Sequence, residues 1–222
     1  MMPVLYGYNL YPDITITCTL SLAVFLVDDY TDRLPVGLVN VVLNANGRDL
    51  KSIKNRSHYY LFFNVPGDVV HIRVESDYYF DVDREIKISQ LDPKHPVETI
   101  RLQPAPCYPF PAGTTLIRGM VQDSQENWLA GAEVSTTVPA FDTLTAASGE
   151  FVCYYTGLRD EDIVIKEGKR YLKGGEGGII PLRVLYNSLS GGIDLTEVAE
   201  GEVTVLASPI ILNKTKKPKN RR

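Results

Sequence analysis

Apolar residues recur along the chain in short runs of about 5 to 8, rich in Val, Ile, Tyr and Phe, with alternation such as Ile72-Arg73-Val74. A period of two puts successive side chains on opposite faces of an extended backbone, so each run predicts a half-buried β-strand. Turn-forming clusters cut the runs at Asn44 to Gly47, Pro66-Gly67-Asp68, Ser148-Gly149 and Gly174 to Gly178. Helical periodicity is scarce. Many short strands with regular turn signals predict an all-β chain built from antiparallel β-sandwiches, each a pair of sheets about 10 Å apart.

The pattern occurs twice. Residues 22–43, LAVFLVDDYTDRLPVGLVNVVL, align with residues 116–137, LIRGMVQDSQENWLAGAEVSTT, so that Val27, Asp29 and Gly37 fall on Val121, Asp123 and Gly131. Further on, the segment from Ser57 matches that from Ser148, and HIRVE from His71 matches DIVIKE from Asp162. The offset is 94 residues in the first block and 91 in the later ones. A repeat that long predicts two copies of one globular fold, not a solenoid.

Between the copies, Pro104, Pro106, Pro109 and Pro111 restrict the backbone and remove donors, which excludes a helix or a central strand. The expected division is a first β-sandwich over 1–102, a stiff Pro-rich linker over 103–115, a second β-sandwich over 116–212 and a basic tail over 213–222. Cys107, Tyr108 and Phe110 give the linker apolar surface and predict that it packs between the halves in a defined orientation. The last strand is GEVTVLASPIIL, where Pro209 demands an edge or a bulge.

The second copy resembles the carboxypeptidase regulatory-like domain, a transthyretin-like (prealbumin-like) sandwich of the broader Ig-like kind. The resemblance lies in Gly119-Met120-Val121-Gln122-Asp123, in Ala130-Gly131-Ala132 followed by Val134, and in Ser148-Gly149-Glu150-Phe151, within residues 113–167. The first copy departs from it: Ala23 to Asp29 lacks the glycine, and Ser57-His58-Tyr59-Tyr60 replaces the hairpin motif. The resemblance implies a fold and a supporting role beside other proteins, with no activity of its own. Some adhesin repeats with a similar sandwich form a Lys–Asn isopeptide bond, which needs a Lys on an early strand. Leu20 to Val27 and Leu116 to Val121 contain none.

Composition adds two points. Tyr is abundant, with 13 residues against 7 Phe and one Trp, and it occurs in pairs at 59–60, 78–79 and 154–155. Strand alternation turns one ring of each pair outward, where it suits an interface or simply satisfies strand propensity. The net charge of -4 is uneven: Lys214, Lys216, Lys217, Lys219, Arg221 and Arg222 crowd the end, and without these six the rest carries -10. The basic end is expected to be disordered when free and to suit an anionic partner or solubility, whereas the acidic body argues against nucleic acid as the main ligand.

Cys18, Cys107 and Cys153 are odd in number and widely spaced, which fits a reducing compartment. The apolar run ITITCTLSLAVFLV lacks a basic n-region, is followed by Asp28 and Asp29, and is too short to span a bilayer, so it reads as a buried strand.

The search for chemistry returns little. No G-x-S-x-G elbow, H-E-x-x-H or C-x-x-C occurs, KGGEGG at 173–178 lacks the phosphate-gripping G-K-[ST] ending, and the only histidines are His58, His71 and His95. Asp123-x-Gln125-x-Asn127 and Asp28-Asp29-x-x-Asp32 imitate a calcium loop. The first has Trp128 where a sharp turn needs Gly, and neither supplies a closing bidentate Glu. These acids are expected to bond turn amides. No catalytic, cofactor-binding or metal-ligating residue is assigned.

The sequence therefore predicts a non-catalytic structural or interaction protein that belongs to a larger multiprotein assembly, with other proteins or a second copy as partners and no membrane span. A phage-tail-like or contractile injection particle assembled in the cytoplasm is one such setting. The alternative is a carbohydrate- or peptide-binding sandwich using Trp128 or a tyrosine as a stacking surface.

Overall fold

The computed structural model describes residues 18–214. They form two tandem β-sandwiches. In the first half, β1 (Leu20–Asp28), β2 (Val39–Ala45), β3 (Arg48–Lys51), β4 (Ile53–Lys54), β5 (Tyr60–Phe63), β6 (Val69–Ser76), β7 (Val82–Lys87) and β8 (Val97–Leu102) make two four-stranded sheets, ordered β4-β5-β1-β8 and β3-β2-β6-β7. The alternation read from sequence places the core: Leu22, Val24 and Leu26 of β1 face Val41 and Leu43 of β2 and Val70, Ile72 and Val74 of β6.

The second half comprises β9 (Thr115–Asp123), β10 (Glu133–Thr137), β11 (Ala140–Leu144), β12 (Glu150–Tyr155), β13 (Ile163–Lys166), β14 (Lys169–Leu172), β15 (Ile180–Tyr186), β16 (Leu189–Leu195), β17 (Val203–Val205) and β18 (Ile210–Lys214). Strand pairing follows the first half. β1 pairs antiparallel with β5 and parallel with β8, while β9 pairs antiparallel with β12 and parallel with β17 and β18. The series β3-β2-β6-β7 has its counterpart in β11-β10-β15-β16. One difference is that β16 meets β18 at Leu189 and Ser190, which joins the second half's sheets into one. The parallel pairs are also a departure from the purely antiparallel expectation.

The alignment of the two halves shifts in space. Asp28 and Asp123 each end their strand, and each sits beside a leucine of the parallel neighbour, Leu102 and Leu212. The spatial match for Asp123 is therefore Asp28, not Asp29. A slip of one residue exchanges strand faces, and this register sets Leu26 against Val121, both buried. The third block also changes: DIVIKE forms β13, which among the described residues pairs with β14 alone, and the counterpart of β6 is β15. The β13–β14 hairpin lies in the 24 residues between Tyr155 and Ile180, where the first half has only a short turn.

The final run, expected as one strand with an edge or a bulge at Pro209, is two strands, β17 beside Leu116–Arg118 and β18 beside Val121–Asp123. β18 continues to Lys214, two residues into the segment read as tail, and the remaining basic residues from 216 onward lie outside the described residues. The segment KGGEGG is closed by a 2.7 Å hydrogen bond from the Gly175 amide to the Ile179 carbonyl, with Gly174 at φ 63° too close to Gly178 and Ile179 backbone for a side chain. No helix of the described residues is long and apolar enough to cross a membrane.

Candidate functional site

The densest convergence of buried polar groups lies where the two sandwiches meet, and Asp28 is its centre. Counting by two from Leu22 through Val24 and Leu26 puts Asp28 on the core side of β1, and it is fully buried. A carboxylate there requires partners on both oxygens. Oδ1 accepts the amides of Tyr30 (2.8 Å) and Thr31 (3.2 Å), and Oδ2 accepts the hydroxyls of Tyr79 (2.9 Å) and Tyr108 (2.6 Å). The Tyr79 hydroxyl also accepts the Val36 amide at 2.9 Å. Burial first, and then the adjoining carboxylate, hold the phenols of Tyr79 and Tyr108 well above their ordinary range.

The next residue extends the network across the junction. Asp29 accepts the hydroxyl of Tyr154 at 3.0 Å, and Arg101 bonds both Asp29 (3.3 Å) and Asp32 (2.7 Å). Tyr30 donates to Thr114 Oγ1 at 2.8 Å, which in turn donates to the Pro111 carbonyl. Around these bonds the rings of Tyr30, Tyr108, Phe110, Phe141 and Tyr154 contact one another edge-on or tilted at 4.6–5.8 Å. Arg118 lies over Phe110 at 5.8 Å and donates to the Pro106 carbonyl at 2.7 Å. Gln103 donates to the Asp142 carbonyl at 2.7 Å.

The linker is thus a wedge. Pro104, Pro106 and Tyr108 are buried, and Cys107, which is exposed, donates to the Asp77 carbonyl.

This arrangement offers fixed geometry rather than reactivity. Every Asp28 oxygen has two donors, and no buried side-chain nitrogen or oxygen among the described residues lacks a partner. The calcium-like strings serve turns: Asp123 accepts the amides of Gln125 (2.8 Å) and Asn127 (3.0 Å) and the Asn127 side chain, bonds that hold its carboxyl below the usual range. Among the described residues no group of three metal-capable side chains forms. His58 occupies a turn at φ 65°, and His71 is exposed on β6 within 4.0 Å of Asp83 and Glu85.

Two sequence readings change here. Tyr59 and Tyr78 are half-buried rather than freely outward, the first 5.0 Å from Phe25 and the second against Gly37. In the third pair both rings are buried: Tyr155 in the second core and Tyr154 in the junction, because the outer face of β12 is covered by the linker and the first half. Tyr78, Tyr154 and Tyr155 therefore pack against the chain itself, so that of the two readings of the paired rings, an interface or simple strand propensity, these positions offer the first no Tyr-rich outer face. The role of Asp28 and Tyr108 was missed as well; the signal was an acid at a core-parity position of a strand.

A second feature is a cleft of about 300 Å³ where β17 and β18 part, lined by Pro106, Arg118, Met120, Glu150, Phe151 and Leu206 among others. Gly119 is one of its lining residues, and Leu206 and Phe151 pack so closely on it that a Cβ there would meet both at 2.7 Å. Its size is the lower end of the small-molecule range. Trp128, 47% exposed, stands on the turn beyond β9 and packs over Gly149.

No protein-family model matches the chain, and no curated protein matches it. Among solved structures it is similar to the Bacillus anthracis TIE protein, at 9% identity over 86% of this chain and 33% of that one, with a TM-score of 0.30. It is also similar to a streptococcal ancillary pilin, at 15% identity over 91% of this chain and 63% of that one, with a TM-score of 0.25. The chain therefore spans a third of the first and under two thirds of the second.

Proposed function

We propose that this chain is a non-catalytic structural element that holds two β-sandwiches in one fixed relation as part of a larger protein assembly. The observation that carries the reading is the junction. Its converging ionisable groups, Asp28, Asp29, Tyr79, Tyr108 and Tyr154, bond one another across β1, the linker and β12. Groups arranged this way act as a brace.

We take the two halves to be copies of one fold, a reading supported by the shared pairing order. The carboxypeptidase regulatory-like assignment of the second half is supported by the roles of its motif residues. Gly119 makes room for Leu206 and Phe151, Asp123 closes the turn, and Gly149 at φ 78° lies 2.9 Å (from an added Cβ) from the Val121 carbonyl. The free thiols of Cys18, Cys107 and Cys153 support assembly in a reducing compartment such as the cytoplasm. That setting includes particles of the phage-tail-like or contractile injection kind.

Crosslinking mass spectrometry in native extract tests the reading: recurrent crosslinks from this chain to the same few proteins are expected, and a chain that remains solitary contradicts it. A second reading, peptide binding, is favoured by the cleft beside β17, and an extended-peptide array that returns no signal removes it.

A further inference from the structure

We infer that a recess between the sheets of the first sandwich is a binding site for a carboxylate carried on a short branched aliphatic body. The recess, of about 180 Å³, opens where the β1–β2 loop meets the turn between β4 and β5. Its apolar walls come from both sheets and from the loop: Leu26 on β1, Val39 on β2, and Leu34 and Pro35 between them. Lys54 and His58, both exposed, also line it, together with Tyr60, whose ring belongs to the core. The wall is fixed in advance. The Val36 amide donates to the Tyr79 hydroxyl at 2.9 Å, and Gly37, at φ 75°, lies so close to the Tyr78 ring that a Cβ there would stand 2.6 Å from it. The recess is thus preformed, held by the same junction that braces the two halves.

The charge of the ligand follows from Lys54 and Tyr60. The β4–β5 register sets them opposite each other, so both side chains take the inner face of the sheet. Lys54 reaches inward over the Tyr60 ring, its ammonium 4.9 Å from the centroid and 3.1 Å from the hydroxyl. That hydroxyl accepts from the ammonium and keeps its own proton to donate, on a residue only 7% exposed. The ammonium has further donors, and among the described residues no carboxylate pairs with it, whereas Arg84, Arg101, Arg170 and Arg183 each meet an acid. The surroundings share its sign: from Leu50 to Gly67 the chain carries Lys51, Lys54, Arg56 and His58 and no acid. Two adjacent donors in a positive field, set beside an apolar hollow, are satisfied together by a carboxylate with a small hydrocarbon body. At about 30 Å³ for each water-sized group the recess takes about six, which sets the size at that of isovalerate. Such a site is separate from the assembly role and stands or falls without it.

Titration of the nitrogen-15-labelled full chain with sodium isovalerate, followed by amide shifts, tests it. Saturable shifts centred on Val36, Gly37, His58 and Tyr60 are expected, with a Kd of roughly 1 mM. Isovaleramide has the shape without the charge and acetate the charge without the body, and each should bind at least about fivefold more weakly. Lys54→Met, at an exposed site, keeps the fold and weakens binding about fivefold, and Tyr60→Phe, which removes the second donor, weakens it as well. Lys51→Met, a cation that does not line the recess, leaves binding unchanged. N-acetylglycylvaline separates the two sources of such a group: binding equal to that of isovalerate assigns the end of a polypeptide, and exclusion assigns a free small acid. No saturable shift at about twenty times the expected Kd, shifts scattered over unrelated surface cations, equal binding of isovaleramide, or indifference to Lys54→Met would each overturn the inference.

Discussion

Replacing Asp28 with alanine removes an acceptor shared by four donors: the amides of Tyr30 and Thr31 and the hydroxyls of Tyr79 and Tyr108. The carboxylate is fully buried, so water does not take its place without opening the junction. Hydrogen bonds to a charged group contribute about 1.5–3 kcal/mol each, but these four share one group and do not add. What Asp28→Ala leaves is a set of buried neutral donors without their acceptor, at about 1–3 kcal/mol each and not additive, so a loss of about 3–5 kcal/mol is expected. Asp28→Asn keeps one oxygen for the turn amides and turns an NH₂ toward two hydroxyls that need an acceptor, so it should cost about half as much. Tyr108→Phe removes a single 2.6 Å bond and should cost about 1.5–3 kcal/mol. Urea unfolding followed by tyrosine fluorescence and by circular dichroism measures each variant, and the cycle of Asp28→Asn with Tyr108→Phe should show a coupling above about 1 kcal/mol. A loss below about 1 kcal/mol in Asp28→Ala would refute the reasoning, since it would mean that desolvating the carboxylate cancels all its bonds.

Other consequences are testable. The phenols of Tyr79, Tyr108 and Tyr154 are raised in the folded chain by burial above all, so the folded state holds protons that the unfolded state releases near pH 10. Stability is therefore complete below pH 10 and falls as pH rises above it, by about 1.4 kcal/mol per pH unit for each tyrosine, and the share of phenolate absorbance that belongs to these three should appear only together with unfolding. Early, unfolding-independent ionisation of all tyrosines would contradict this. Gly119→Ala drives a methyl against Leu206 and Phe151 and should cost about 1–3 kcal/mol, with partial recovery when Leu206→Ala is added; a neutral melting temperature for the single change sinks the account. A thiol reagent at pH 8 should modify Cys18 and Cys107 quickly and leave Cys153, whose thiol burial pushes up to about 12, until denaturant is added.

The strands were legible because their period is local: Leu22, Val24 and Leu26 announce an inward face without reference to any other segment. Pro209 announced an irregularity in the last run for the same reason, as a missing donor, although the division into β17 and β18 goes beyond the edge or bulge expected. What the sequence hid was partnership. DIVIKE reads as a strand equal to HIRVE, yet among the described residues its only partner strand is the neighbouring β14, and nothing within six residues distinguishes the two cases. The one-residue slip that paired Asp29 with Asp123 hid the core parity of Asp28, and with it the reason Tyr79 and Tyr108 are where they are. Strand alternation turns one ring of the 154–155 pair outward, and on β12 that ring is Tyr154. Only the arrival of the linker and the Tyr30 segment turns that outward face into an interior one.

The parallel ladders between the opening and closing strands of each half have a mechanical meaning. β1 and β8 run side by side in the same direction over six residue pairs, Ala23↔Val97 to Asp28↔Leu102, and β9 is matched with β17 and β18 over another six. Tension applied along the chain pulls the start of β1 and the end of β8 in opposite senses along the same axis. The bonds between them are then loaded all at once in shear and do not peel one after another. Each half resists stretching with its whole ladder, and the wedge of the linker passes that load from one half to the next.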